Sequence, residues 1–221
     1  YYMYYPATKE INKNTVIFYI HGGGWCLGSP YQHRFLANLL QNQGYTLIFP
    51  TYRLTPEFSY PDLYEDINNA FLSSINFLKE KGIKNPKIII GGTSAGANLA
   101  NLLAFDEKRW DSLHIDRAIL QGVFSIAGVL SLDDLGYSST LTNYTGPINS
   151  VQYQLANPIN YINQNDSFPF LCLHGDSDGL APYQNAKSFC SKLNNKSSVA
   201  VDFHTFKNCS HIDLGSGWYY D

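Results

Sequence analysis

The 221-residue chain, 44% hydrophobic and 15% charged, can bury one sizeable core and has the composition of a folded globular protein, not a disordered or fibrous one. Its net charge of -3 provides no basic stripe to neutralise a phosphate backbone, so no nucleic acid is expected as partner and a small-molecule ligand fits better. No apolar run reaches the ~18 residues of a membrane span, and YYMYYPATKE at the start lacks the features of a signal peptide. The chain therefore reads as cytoplasmic, or as secreted if a leader was removed. The four cysteines, Cys26, Cys172, Cys190 and Cys209, show no metal-ligand spacing and read as free thiols. Sequons at Asn143, Asn165, Asn195 and Asn208 decide nothing, because about three would arise by chance in a chain this rich in Asn and Ser.

In chain order, TVIFYIHG (15–22) predicts a strand ending at glycines. Gln32 to Gln43 then carries Phe35, Leu36, Leu39 and Leu40 at helical spacing, and YTLIFPTYR (45–53) predicts the next strand. From Pro61 to Gly82, Leu63, Ile67, Phe71, Ile75 and Leu78 recur every three or four residues, which predicts a long helix. KIIIGG (87–92) reads as a buried parallel strand and AGANLANLLAF (95–105) as the helix after it. Further strands are expected at 117–125, 168–175 and 199–206, with a helix from Tyr183 to Leu193. This alternation predicts an α/β fold, a mostly parallel central sheet with helices on both faces. About forty residues around 126–167 have weak periodicity and are expected to form an insertion, a lid or cap.

Two glycine motifs carry the chemistry. GTSAG (Gly92 to Gly96) matches G-x-S-x-G between a predicted strand and a predicted helix, where a sharp turn presents Ser94 as a nucleophile. HGGGW (His21 to Trp25) ends the first strong strand, a pattern expected by chance about once in ten thousand such chains. Its glycines free the backbone to turn N–H groups toward an oxyanion.

A serine nucleophile needs a base and an orienting acid, which in this architecture follow it in the order acid, then histidine. His211 is the histidine beyond the last predicted strand and is the expected base. His204 lies inside a strand pattern, His174 braces a turn and His21 holds the glycine loop, while His33 and His114 are expected at the surface. HGDSDGLAP (His174 to Pro182) offers Asp176 and Asp178 as the acid. Asp202 and Asp213 read as surface charges.

On HGGGW, YRLTPE (Tyr52 to Glu57), GTSAG, HGDSDGLAP and the late His211, the chain resembles the hormone-sensitive-lipase-like and acetyl/feruloyl-esterase-like branch of the α/β-hydrolases. The resemblance implies oxyanion-hole N–H groups at Gly23, Gly24 and Ala95, and it selects Asp178 as the acid. Ala181 and Thr55 depart from the residues usual in those motifs. Family members usually have further elements before the HGGG strand and after the histidine. The implied domain, 1–221, is therefore minimal or trimmed at its ends.

The implied activity is hydrolysis of a small acyl or aryl ester, with neither cofactor nor metal. Trp25 is the expected substrate contact, and oligomeric state is left open. Two other readings are an arylformamidase or peptidase using the same triad on an amide, and a non-catalytic ligand-binding member of the fold.

Overall fold

The computed structural model describes residues 1–4, 14–83 and 85–215. Seven strands form one sheet: β1 (Tyr2–Tyr4), β2 (Thr15–Ile20), β3 (Thr46–Phe49), β4 (Lys87–Thr93), β5 (Leu120–Ile126), β6 (Phe170–Gly175) and β7 (Val201–Phe206). Their order is β1-β3-β2-β4-β5-β6-β7. Every pair is parallel except β1 with β3, where Tyr2 lies opposite Phe49.

Alternation along β2 supplies two cores. Val16, Phe18 and Ile20 join the larger one with α2 (Tyr60–Glu80), α3 (Ala95–Phe105) and α7 (Tyr183–Lys196). Ile17 and Tyr19 face the smaller one, where Ala37 of α1 (Arg34–Asn42) packs with Leu47 and Phe49. The sheet is thus covered on both faces. The predicted stripe of α2, from Leu63 to Leu78, is at most 2% exposed, and each such side chain contributes about 1.5–3 kcal/mol by leaving water. The start of α2 is fixed by the carboxylate of Asp62, which accepts the Ser59 N–H at 3.2 Å.

Elements differ from expectation where local pattern is weak. β1 is a three-residue edge strand, and α4 (Glu107–Leu113) buries only Trp110, so neither leaves a periodic signature. The expected strand at 117–125 opens with a 3-10 turn, because the Asp116 carboxylate takes the Ala118 N–H at 2.9 Å. The 126–167 insertion contains α5 (Ser139–Thr145) and α6 (Val151–Leu155) and is built into the core: Leu130, Tyr144, Ala156 and Asn157 are fully buried. Buried asparagines staple it. Asn98 donates to Val129 O and Ala156 O and accepts from Tyr144 Oη, Asn185 accepts the Leu130 N–H, and Asn157 accepts the Leu132 N–H. The expected lid is here a packed wall. Among the described residues, no helix is long and apolar enough to cross a membrane.

His33 is a correction: expected at the surface, its ring lies 4.9 Å from Tyr19 and 6.4 Å from Phe49, centroid to centroid. Burial, and then the neighbouring charge of His21, push its pKa down to about 4. The unfolded chain binds this proton near pH 6.5. Between about pH 6.5 and 4 the unfolded state therefore holds more protons, and stability is lost as pH falls through that window. We expect the melting temperature of His33→Phe to fall less than that of the wild type from pH 6.5 to 4; equal slopes would assign the acid sensitivity to other groups.

Candidate active site

Ser94 stands at the turn between β4 and α3 with φ +55°, a backbone region that side chains other than glycine rarely enter. The turn is that tight because β4 and α3 pass close beside the end of β2. A Cβ on Gly96 would lie 2.2 Å from Ile20 O and 2.3 Å from His21 O, so no other residue fits there. The Ser94 N–H is held by Ile126 O at 3.0 Å. Ala95 opens α3, and its N–H, in the first turn, has no intrahelical acceptor.

The HGGGW loop lies against this turn, since a Cβ on Gly22 would meet Thr93 O at 2.8 Å and the Ser94 Cβ at 3.1 Å. Side chains and backbone fix its carbonyls. His21 Nδ1–H donates to Gly22 O at 2.8 Å, while Cys26 N–H and Leu27 N–H donate to Gly23 O at 3.1 and 2.9 Å. In a trans peptide the N–H points opposite the carbonyl, so these bonds turn the N–H groups of Gly23 and Gly24 the other way. Gly23 has φ +118°, and a Cβ on it would strike Leu27 O at 2.2 Å, which only glycine avoids.

YRLTPE explains itself as the brace of this loop. The Tyr52 hydroxyl donates to His21 O at 2.9 Å, and its ring stacks on the His21 ring at 4.4 Å. Burial lowers the His21 pKa, against the opposing pull of the Gly22 carbonyl, which favours the neutral ring as a fixed donor. Thr55 N–H donates to Trp25 O at 3.0 Å. Arg53 ties the segment to α2 with a two-pronged ion pair to Asp66, at 2.8 and 2.9 Å. The sequence displayed this motif, but pattern alone gave Tyr52 and Arg53 no task.

His211, expected beyond the last strand, is the first residue of the five-residue α8 (His211–Gly215). Its Nε2 lies 2.8 Å from Ser94 Oγ and its Nδ1 2.7 Å from Asp178 Oδ2. A carboxylate only accepts, so Nδ1 carries the proton and Nε2 is left as the acceptor for the serine hydroxyl. The other oxygen of Asp178 accepts the N–H groups of Leu180 and Ala181 at 2.9 and 2.8 Å. Burial pushes the Asp178 pKa up, but the hydrogen bonds from His174, His211 and Ala181 outweigh it and hold the carboxyl well below the usual carboxylate range.

The remaining residues sort plainly. His174 is fully buried and donates from Nε2 to Ala181 O at 2.8 Å, bracing the acid turn as expected. His204 pairs with Asp202 at the surface, and His114 is exposed. Trp25, the expected substrate contact, is 4% exposed and its ring stacks on Tyr144 at 4.1 Å in the larger core. The wall reaches the glycine loop here, for a Cβ on Gly24 would touch Thr140 Cγ2 at 3.3 Å. The described cysteines are free thiols, and no three metal-ligating side chains converge among the described residues.

The BD-FAE family model matches residues 2–193. This chain belongs to the BD-FAE family. Among curated proteins, this BD-FAE member is 37% identical over 108 residues to arylacetamide deacetylase from Bos taurus, covering 46% of this chain and 27% of that one. It is also 37% identical over 108 residues to an arylesterase from Saccharolobus solfataricus, covering 47% and 35%. The chain thus spans about a third or less of the length of these two relatives in the matched region. Among solved structures, esterase 2 from Thermogutta terrifontis, phosphonylated by sarin, superposes with a TM-score of 0.77 over 98% of this chain and 82% of that one, at 20% identity. This likeness shows that the BD-FAE chain has the α/β-hydrolase fold.

Proposed function

We propose that the protein hydrolyses small carboxylic esters with Ser94 as nucleophile, His211 as general base and acid, Asp178 as orienting acid, and the N–H groups of Gly23, Gly24 and Ala95 as oxyanion hole. The observation that carries this reading is the unbroken hydrogen-bond chain from Ser94 Oγ through His211 to Asp178, at 2.8 and 2.7 Å. Neither step of it calls for a metal or an organic cofactor.

In the first half-reaction Ser94 Oγ bonds to the ester carbonyl carbon while its proton passes to His211 Nε2. Asp178 stabilises the imidazolium through Nδ1. The carbonyl oxygen becomes an oxyanion, and the fixed N–H groups of the glycine loop and of the α3 start meet its charge, reinforced by the helix dipole. Collapse breaks the C–O bond to the alcohol, which leaves with the proton from His211. Water then attacks the acyl-enzyme, again losing its proton to His211, and the acid departs as Ser94 regains its proton.

The name of the bovine relative raises amide hydrolysis as a second reading for the same site. One substrate panel separates the two: p-nitrophenyl acetate, butyrate and octanoate against p-nitroacetanilide and an N-formyl anilide. We expect turnover of the short esters to exceed that of both amides. Faster anilide cleavage would select the amide reading, and a folded protein that turns over none of them would leave the non-catalytic one.

A further inference from the structure

We propose that Asp176, on the acid-bearing loop, is a positioning residue for His211. The inference rests on the esterase reading above. His211 sits on a helix of five residues, too short to hold itself. The strand before it ends at Phe206, so residues 207–210 must be fixed from outside for the imidazole to reach Ser94.

The loop after β6 does this. Asp176 N–H donates to Phe206 O and Ser177 N–H to Cys209 O, both at 3.1 Å, and a Cβ on Gly175 would lie 2.1 Å from Cys209 O. These contacts draw the two loops together through backbone alone. One side chain adds a direct grip: Asp176 Oδ1 accepts the Asn208 N–H at 2.6 Å and the Ser177 hydroxyl at 3.2 Å. Asn208 is held with φ +58°, the left-handed conformation that turns the chain toward His211. From the far side, Asp213 Oδ2 accepts the Ser210 N–H and hydroxyl at 2.7 and 2.8 Å. A charge-assisted bond to Asn208 thus sets where the His211 backbone begins, and the same loop carries Asp178 two residues later. Acid and base are registered to one another by the acid that does not touch the base.

Misplacement of a catalytic group by about 1 Å costs as much as about 10²-fold in rate. We therefore expect Asp176→Ala to lower kcat on p-nitrophenyl butyrate by roughly 10- to 100-fold, with KM nearly unchanged. Asp176→Asn keeps an acceptor oxygen for Asn208 N–H and should restore most of the lost kcat. Phosphonylation of Ser94 by a fluorophosphonate should slow in parallel with kcat in the alanine variant. All rates are taken well below each variant's melting transition, so a loss of folded protein does not mimic the effect. Wild-type kcat in Asp176→Ala, or equal losses in the alanine and asparagine variants, would overturn the positioning role while leaving the esterase reading intact. A wild-type protein that neither turns over ester nor reacts with the probe would withdraw both.

Discussion

Replacing Ser94 with alanine is expected to lower ester turnover by about 10⁴- to 10⁶-fold while the protein remains folded. The loss is large because the proposed mechanism takes its bond-forming atom from the serine, and among the described residues no other hydroxyl is seen bonded to His211 Nε2. The structural cost is small. Ser94 is partly exposed, its side chain makes one hydrogen bond to His211, and a typical bond of that kind is worth about 0.5–1.5 kcal/mol. Alanine has the same Cβ and therefore inherits the same backbone strain at φ +55°. Turnover of p-nitrophenyl butyrate by the purified variant, beside its melting temperature, checks both halves. A variant that kept even a tenth of wild-type activity would remove Ser94 from the mechanism.

Asp178→Asn is expected to cost about 10⁴-fold in kcat, through proton placement rather than lost packing. The carboxylate meets donors on both oxygens: two backbone N–H groups on one, and the imidazoles of His211 and, at a longer 3.4 Å, His174 on the other. An amide must turn its NH₂ toward one of these pairs. Facing His211, it forces the proton onto Nε2, where the ring can no longer take one from Ser94. Facing Leu180 and Ala181, it sets donor against donor at a buried site. Because the native carboxyl lies far below its ordinary range, the wild-type protein keeps it ionised across the working pH range. The same depression makes Asp178 a source of stability above about pH 4 that is lost as pH falls further. Kinetics from pH 5 to 9 test the catalytic loss, and wild-type kcat in Asp178→Asn would remove the residue from the site.

What could be read in the sequence follows from how far apart the constraining partners lie. GTSAG and HGGGW announce themselves because a turn in which a Cβ on Gly96 would lie 2.2 Å from Ile20 O, or in which Gly23 has a φ of +118°, restricts residues within a span of five. Parallel strands such as β2, β3 and β4 showed as apolar runs because both faces of the sheet are covered there. Asp178 and His211 could be named from chain order and resemblance, but their meeting depends on the loops that follow β6 and β7. Other features depended wholly on distant partners. Trp25 is buried because Tyr144 stacks on it, His33 is half-buried because its ring packs near Tyr19 and Phe49, and the 126–167 wall is buried because Asn98, Asn157 and Asn185 satisfy its backbone. Nothing in the weak periodicity of that segment distinguishes a wall from a lid. Asp176 was visible only as a rival acid, since its bond to Asn208 joins two loops that the sequence separates.

Active-site labelling asks whether Ser94 is an activated nucleophile. The wild-type protein and Ser94→Ala are incubated with a fluorophosphonate probe, digested, and searched by peptide mass spectrometry for the adduct. We expect one stoichiometric label on the wild type, on the peptide containing Gly92 to Gly96 and at Ser94, and none on the alanine variant. An unlabelled, folded wild-type protein, or a label at another residue that persists in Ser94→Ala, would contradict it.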